Sequence, residues 1–264
     1  MRTRVTAIVP AAGAGARVGS PAGKLFLPLR GIPLLAHTLR ALQASHAVDS
    51  IVIAARPDDR SRIQALIRSH RITKALAPVP GGSSRAESVA RGFEAAPARA
   101  EWLLVHDGAR PCVSPGLVDA AVREAARHGA VACGLPASLT VKSADDGRRV
   151  RVTLDRTHLW FVQTPQVFRR DWFAQALEQA GLTHSGRANG RGPVDPERFP
   201  DDAALLEASG FPVTMVPGEP LNIKVTTRED LLIAEAILAR GSRLEARRTR
   251  RIEPRASSHE HMAG

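Results

Sequence analysis

Short apolar runs alternate along most of the chain with stretches whose apolar residues recur at helical spacing. Residues 5–9 (Val-Thr-Ala-Ile-Val) read as a buried strand and lead into a Gly/Ala/Pro segment. Pro33 then opens an amphipathic run, Leu34-Leu-Ala-His-Thr-Leu-Arg-Ala-Leu42, with proline at the first helical position. The pattern repeats downstream. Residues 50–55 predict a strand, 58–69 a helix, 76–79 a short strand, 85–95 a helix and 101–106 a strand, and Ser114 caps a helix running to residue 127. Alternation of this kind predicts an α/β fold, a doubly wound and mostly parallel sheet with helices on both faces.

The alternation breaks after residue 131. Two β-leaning runs, 139–142 and 150–154, flank Ser143-Ala-Asp-Asp-Gly-Arg148, and an Asp-Gly pair so placed predicts a hairpin. Its mixed charged and apolar residues mark an arm, residues 137–156, inserted into the α/β unit. A helix over 170–181 and a Gly/Arg/Pro-rich loop over 184–200 follow. Thr227-Arg-Glu-Asp230 has the pattern of a capping box and opens a last helix expected to end near residue 240. The predicted organisation is one domain, 1–240, and an Arg-rich tail, 241–264, expected to be disordered and given no function.

Charge sharpens this picture. The chain of 264 residues carries a formal net charge of +11, and residues 240–255, with seven Arg and two Glu, supply +5 of it. Aromatic residues make up only 4%, with no Tyr, so the stacking platforms that single-stranded nucleic acids use are missing. Phosphorylated small molecules are therefore the expected partners, with no nucleic acid. A basic nucleic-acid-binding protein is the rival from another class, and it rests mainly on the tail. The two cysteines, Cys112 and Cys133, make neither a disulfide framework nor a CxxC zinc pattern. No apolar run approaches the ~18 residues of a membrane span. The first strand begins too early to leave room for a leader, so a cytoplasmic protein without a membrane partner is expected.

Several segments carry candidate chemistry. Pro10-Ala11-Ala12-Gly13-Ala-Gly15-Ala-Arg17 follows the first strand, and small residues there let backbone amides approach a phosphate. The spacing is not a dinucleotide fingerprint, and the Gly19-to-Lys24 stretch falls one residue short of a Walker loop. Arg17 and Lys24 nonetheless place two cations in this loop. Gly81-Gly82-Ser-Ser-Arg-Ala-Glu-Ser88 forms a second small-residue turn opening a helix, with ordinary N-capping by Ser84 as the plainer reading. Asp107, in His106-Asp107-Gly108-Ala-Arg110-Pro111, ends a strand and suits a Mg²⁺ whose shell phosphates complete. An Asx-turn is the alternative there. Lys24, Lys142 and Lys224, three of only four lysines, fall in these candidate segments, and Arg156 with Gln163-Thr164-Pro-Gln166 completes the polar set.

Taken in order, these segments resemble the 2-C-methyl-D-erythritol 4-phosphate cytidylyltransferases of non-mevalonate isoprenoid biosynthesis. The resemblance rests on Pro10-to-Arg17, Val105-His-Asp-Gly-Ala-Arg-Pro111, Leu154-Asp-Arg156, Gln163-Thr-Pro-Gln-Val-Phe168 and Asn222-Ile-Lys-Val-Thr226, and spans residues 5–240. It implies a Rossmann-like nucleotidyltransferase fold, a homodimer clasped by the β-arm, Mg²⁺ or another divalent cation, and CTP plus a sugar-alcohol phosphate as substrates. Pro10, Ala11, Ala12, Gly13, Gly15, Arg17 and Lys24 would wrap the triphosphate, with Asp107 and Gly108 beside them. Gly82 and Ser88 would read the nucleoside. Arg110, Thr140 and Thr164 would bind the sugar-alcohol phosphate, while Arg156 and Lys224 would act on it catalytically with Arg17 and Lys24. Leu221 stands where some members carry an acid, with Glu219 as the nearest stand-in. A cytidylyltransferase for another polyol phosphate, such as ribitol 5-phosphate, is the alternative within the same fold.

Overall fold

The computed structural model describes residues 4–13, 23–183 and 199–252, with 241–252 described by their backbone alone. Gly15 and Arg17 of the first loop, most of the 184–200 loop and the end of the tail lie outside the described residues. In chain order the elements are β1 (Val5–Ala11), β2 (Pro28–Leu29), β3 (Ile32–Pro33), α1 (Leu34–Ala44), β4 (Val48–Ala55), α2 (Arg60–Ser69) and β5 (Val79–Pro80). Then come α3 (Arg85–Glu94), β6 (Trp102–Val105), α4 (Pro115–His128), β7 (Ala130–Pro136), β8 (Val141–Ala144), β9 (Val150–Leu154) and β10 (Trp160–Arg169). The chain closes with α5 (Arg170–Gln179), α6 (Asp202–Ala208), β11 (Thr214–Pro217) and α7 (Arg228–Ile252).

Side chains of β1 show why a central strand here is apolar but for Thr6, whose hydroxyl pairs with that of Ser50. Val5, Ala7, Val9 and Ala11 pack with α1 and α4 on one face of the sheet, while Ile8 points to the other, among α3 and α5 residues. Both faces are covered, so both sets must be apolar. The main sheet has seven strands in the order β11-β7-β10-β6-β1-β4-β5. β1 runs parallel to β4 and β6, β4 parallel to β5, and β7 parallel to β11.

The sheet is mostly parallel, as expected, and β10 is its antiparallel member, pairing with both β6 and β7. The alternating pattern gave no sign of β7, β10, β11 or α6. Pro165 interrupts the β10 pattern, and its register against β7 shifts between Val162 and Gln166. The predicted arm is present: β8 and β9 form a separate antiparallel pair, Val141 opposite Leu154. Pro33 caps α1 from one position outside it, with extended φ −57 and ψ 140, rather than occupying its first turn. The capping box at the last helix forms, with the Thr227 hydroxyl accepting from Asp230 N–H and Asp230 Oδ2 accepting from Thr227 N–H. That helix runs on to Ile252, beyond the predicted end near residue 240. Residues 241–252, which continue it, are after Gly241 mostly good helix formers with no proline.

One close contact sets the height of α3 above the sheet. A Cβ at Gly92 would stand 2.4 Å from Ile8 Cγ2, so only glycine lets the helix sit this low. The turn that precedes α3 is thereby lowered onto the loop that follows β1.

Candidate active site

Because β1 and β6 are parallel neighbours, their carboxyl ends open at the same edge of the sheet. A cleft of about 490 Å³ lies there. Pro10, Ala11, Ala12 and Gly13 form one wall, Gly82 and Ser88 another, and Lys24, Arg85, Asp107, Gly108 and Lys224 place charge and backbone between them. A Cβ at Gly81 would meet Ala12 Cβ at 2.5 Å, so the two small-residue segments touch only because glycine is there. Ser84 caps α3, its hydroxyl accepting from Glu87 N–H at 3.1 Å. Glu87 Oε2 in turn accepts from the amide and hydroxyl of Ser83, at 2.8 and 2.7 Å. The Ser88 hydroxyl accepts from Gly82 N–H at 3.0 Å and donates to the Ser84 carbonyl at 2.8 Å, which fixes the shape of the turn.

Asp107 is the electrostatic centre. Its Oδ2 lies 2.8 Å from Lys224 Nζ and 3.6 Å from Arg110 Nε, and its Oδ1 accepts from Arg85 Nε at 3.1 Å. Burial pushes the carboxyl up, but Arg85, Lys224 and Arg110 outweigh it and hold it well below the usual carboxylate range. Arg85 also reaches a second carboxylate, Asp202 at the start of α6, with Nη2 to Oδ2 at 2.8 Å. Burial pushes the Asp202 carboxyl up, against the pull of Arg85.

Two residues expected to bind the sugar-alcohol phosphate pack around Asp107. The Thr164 hydroxyl accepts from Asp107 N–H at 3.1 Å and lies 3.0 Å from His106 Nδ1. Full burial keeps His106 neutral, holding its pKa down at about 4. Its Nε2 faces the Arg110 carbonyl, so Nε2 carries the proton and Nδ1 accepts from Thr164. Arg110 is 8% exposed, and its Nη1 donates to the Asn222 carbonyl at 2.8 Å. Both residues hold Asp107, and neither is among the residues lining the cleft.

Thr140 and Arg156 lie exposed on the arm and are not among the residues lining this chain's own cleft. Arg156 Nη1 donates to the Ser138 carbonyl. Glu219, the stand-in acid, accepts from the Ser114 hydroxyl at 2.6 Å and does not line the cleft. Among the described residues no group of three or more His, Cys, Asp or Glu gathers to hold a metal. Asp107 alone fits a divalent cation bound chiefly through phosphate oxygens and water. Its carboxylate has spare lone pairs, and the Lys224 side chain beside it is 40% exposed.

Sequence reasoning assigned no role to Arg85 or Asp202. Arg85 was visible beside the second turn, but nothing near Asp202 in sequence points to a partner on α3. His106 and Gln166 were seen only as parts of motifs.

Comparison with known proteins agrees with this geometry. The family model for 2-C-methyl-D-erythritol 4-phosphate cytidylyltransferase matches residues 5–240. A 2-C-methyl-D-erythritol 4-phosphate cytidylyltransferase of Pelotomaculum thermopropionicum is 42% identical over 243 residues, covering 91% of this chain and 97% of its own. Another, from Microcystis aeruginosa, is 41% identical, covering 88% and 97%. Among solved structures, the enzyme of that name from Thermus thermophilus superposes with a TM-score of 0.68 at 34% identity, covering 90% of this chain and all of that one. By sequence and by fold, the chain belongs to the 2-C-methyl-D-erythritol 4-phosphate cytidylyltransferase family.

Proposed function

We propose that the cleft transfers the cytidylyl group of CTP to the phosphate of 2-C-methyl-D-erythritol 4-phosphate, releasing pyrophosphate. The observation that carries this reading is the composition of the cleft. Two glycine-containing segments meet at a sheet edge, with two lysines, Arg85 and one carboxylate between them, and the described residues lining it include no histidine or cysteine. One phosphate attacking another needs no protein nucleophile. It needs positioning, and cations where charge builds on the bridging oxygens.

Lys24, beside the first loop, is placed to meet the triphosphate, and Arg17 is assigned to the same task. Lys224, held at 2.8 Å by Asp107, is placed to steady the attacking phosphate. Mg²⁺, when bound, would offset charge on the triphosphate, and Asp107 is the carboxylate that would hold it. The Gly82–Ser88 turn is rigid and small, which favours a pyrimidine over a purine.

The arm belongs to this reading as a dimer clasp. Leu139, Val150 and Val152 are exposed at 72%, 57% and 49%, more apolar surface than a free hairpin carries comfortably. A second copy of the chain covering them would bring Thr140 and Arg156 to the partner's cleft. No helix among the described residues is long and apolar enough to cross a membrane, which suits the expected cytoplasmic setting.

Pyrophosphate release from CTP tests the reaction, with 2-C-methyl-D-erythritol 4-phosphate and ribitol 5-phosphate as acceptors side by side. Release with the first, and much slower release with the second, is expected. An equal or faster rate with ribitol 5-phosphate would overturn the acceptor assignment, and no release with either would overturn the reaction.

A further inference from the structure

Arg85 contacts two carboxylates with different nitrogens, Asp107 Oδ1 through Nε at 3.1 Å and Asp202 Oδ2 through Nη2 at 2.8 Å. The second contact is an ion pair rather than a well-formed hydrogen bond. Asp202 is 3% exposed and does not line the cleft, so it meets no substrate directly. Its position is fixed from another direction. The amides of Asp202 and Ala203 both donate to Gln166 Oε1 at 3.1 Å, and Gln166 Nε2 donates to Asp201 at 2.9 Å. Gln166 lies on β10, fully buried. Thus β10 anchors α6, α6 presents Asp202, and Asp202 holds one arm of the Arg85 fork.

The consequence lies at Asp107. A guanidinium beside a carboxylate tends to engage both oxygens in a fork-to-fork pair. Here it engages only Oδ1, and Oδ2 faces Lys224 at 2.8 Å. We infer that Asp202 is a positioning residue, restraining Arg85 to a single contact with Asp107 so that the second carboxylate oxygen stays with Lys224 and the cleft. This rests on the reaction proposed above, because it assigns Asp107 and Lys224 their work there. Were Asp202 removed, Arg85 would turn onto both oxygens, and Lys224 would lose the contact that aims it.

The test compares Asp202→Ala, Arg85→Gln and the double variant, each checked for folding by thermal unfolding and circular dichroism. Loss of aim of this order costs roughly 10²-fold in turnover. Asp202→Ala should show that loss in kcat with little change in KM for CTP, and Arg85→Gln, at a residue that itself lines the cleft, a smaller loss in kcat together with a raised KM for CTP. The double variant should recover most of the kcat lost by Asp202→Ala, because no guanidinium remains to capture Asp107. A crystal structure of Asp202→Ala should show both Arg85 nitrogens on Asp107 and Lys224 displaced. If Asp202→Ala does not fold, Asp202→Asn, which keeps an acceptor but not the charge, carries the same comparison with a smaller loss. Wild-type kcat in folded Asp202→Ala, or a double variant no faster than it, would overturn the inference and leave Asp202 as a tie between α6 and α3. Failure of the reaction itself would show separately, as a wild type that releases no pyrophosphate.

Discussion

At the scale of single residues, the account turns on a buried polar chain behind the cleft, His106 to Thr164 to Asp107. His106 is held at about 4, against 6.5 for a free histidine. The unfolded chain therefore takes up the proton more readily than the folded one between these two values. Stability is full above pH 6.5, falls as the pH drops toward 4, and loses nothing more to this group below that, a contribution of roughly 3 kcal/mol. His106→Asn keeps an acceptor for the Thr164 hydroxyl but cannot titrate. Urea denaturation at pH 7 and pH 4.5 should show a shallower acid loss in the variant than in the wild type, and parallel losses would contradict the assignment. Some of this site was legible in sequence. Asp107, Gly82, Lys24 and Lys224 sit in short segments whose residue types announce phosphate chemistry. Thr164 and Arg110 were legible as polar motif residues, but their contacts with Asp107 were not, because spacing does not tell which neighbour a side chain reaches. The Arg85–Asp202 pair was illegible, since α3 and α6 meet only through tertiary packing.

At the scale of elements, periodicity found the parallel half of the sheet and missed the rest. β1, β4 and β6 are continuous apolar runs bounded by loops, and strand and helix alternate around them. β10 hides because Gln163-Thr-Pro-Gln166 interrupts its pattern, and because an antiparallel return between β6 and β7 needs no helix to announce it. The helix α3 is read easily, but its depth is not, since that depends on the absence of a side chain at Gly92 against Ile8. Gly92→Ala should raise helix propensity and still destabilise the protein, by about 1–3 kcal/mol through overpacking. Because α3 carries the second turn of the cleft, KM for CTP should rise as well. Thermal unfolding together with steady-state kinetics checks both, and an unchanged or raised melting temperature would mean α3 does not depend on this contact.

At the scale of the whole molecule, the proposed dimer would have each chain supply most of one site and part of another. If Arg156 serves the partner's cleft, mixing inactive Arg156→Ala with inactive Lys24→Ala chains should restore activity. With random exchange about half the dimers are mixed and each carries one intact site, so roughly a quarter of wild-type activity should return, because the cations act together at one transition state. No recovery despite proven exchange would assign Arg156 to its own chain. The central claim is simpler: charge at the cleft, aimed by Asp107, drives the transfer. Turnover of Lys224→Ala at saturating CTP and 2-C-methyl-D-erythritol 4-phosphate tests it most directly. Losing one such preorganised donor should lower kcat by about 10²–10³-fold in a protein that unfolds at the wild-type temperature. Wild-type turnover in that folded variant would contradict the account.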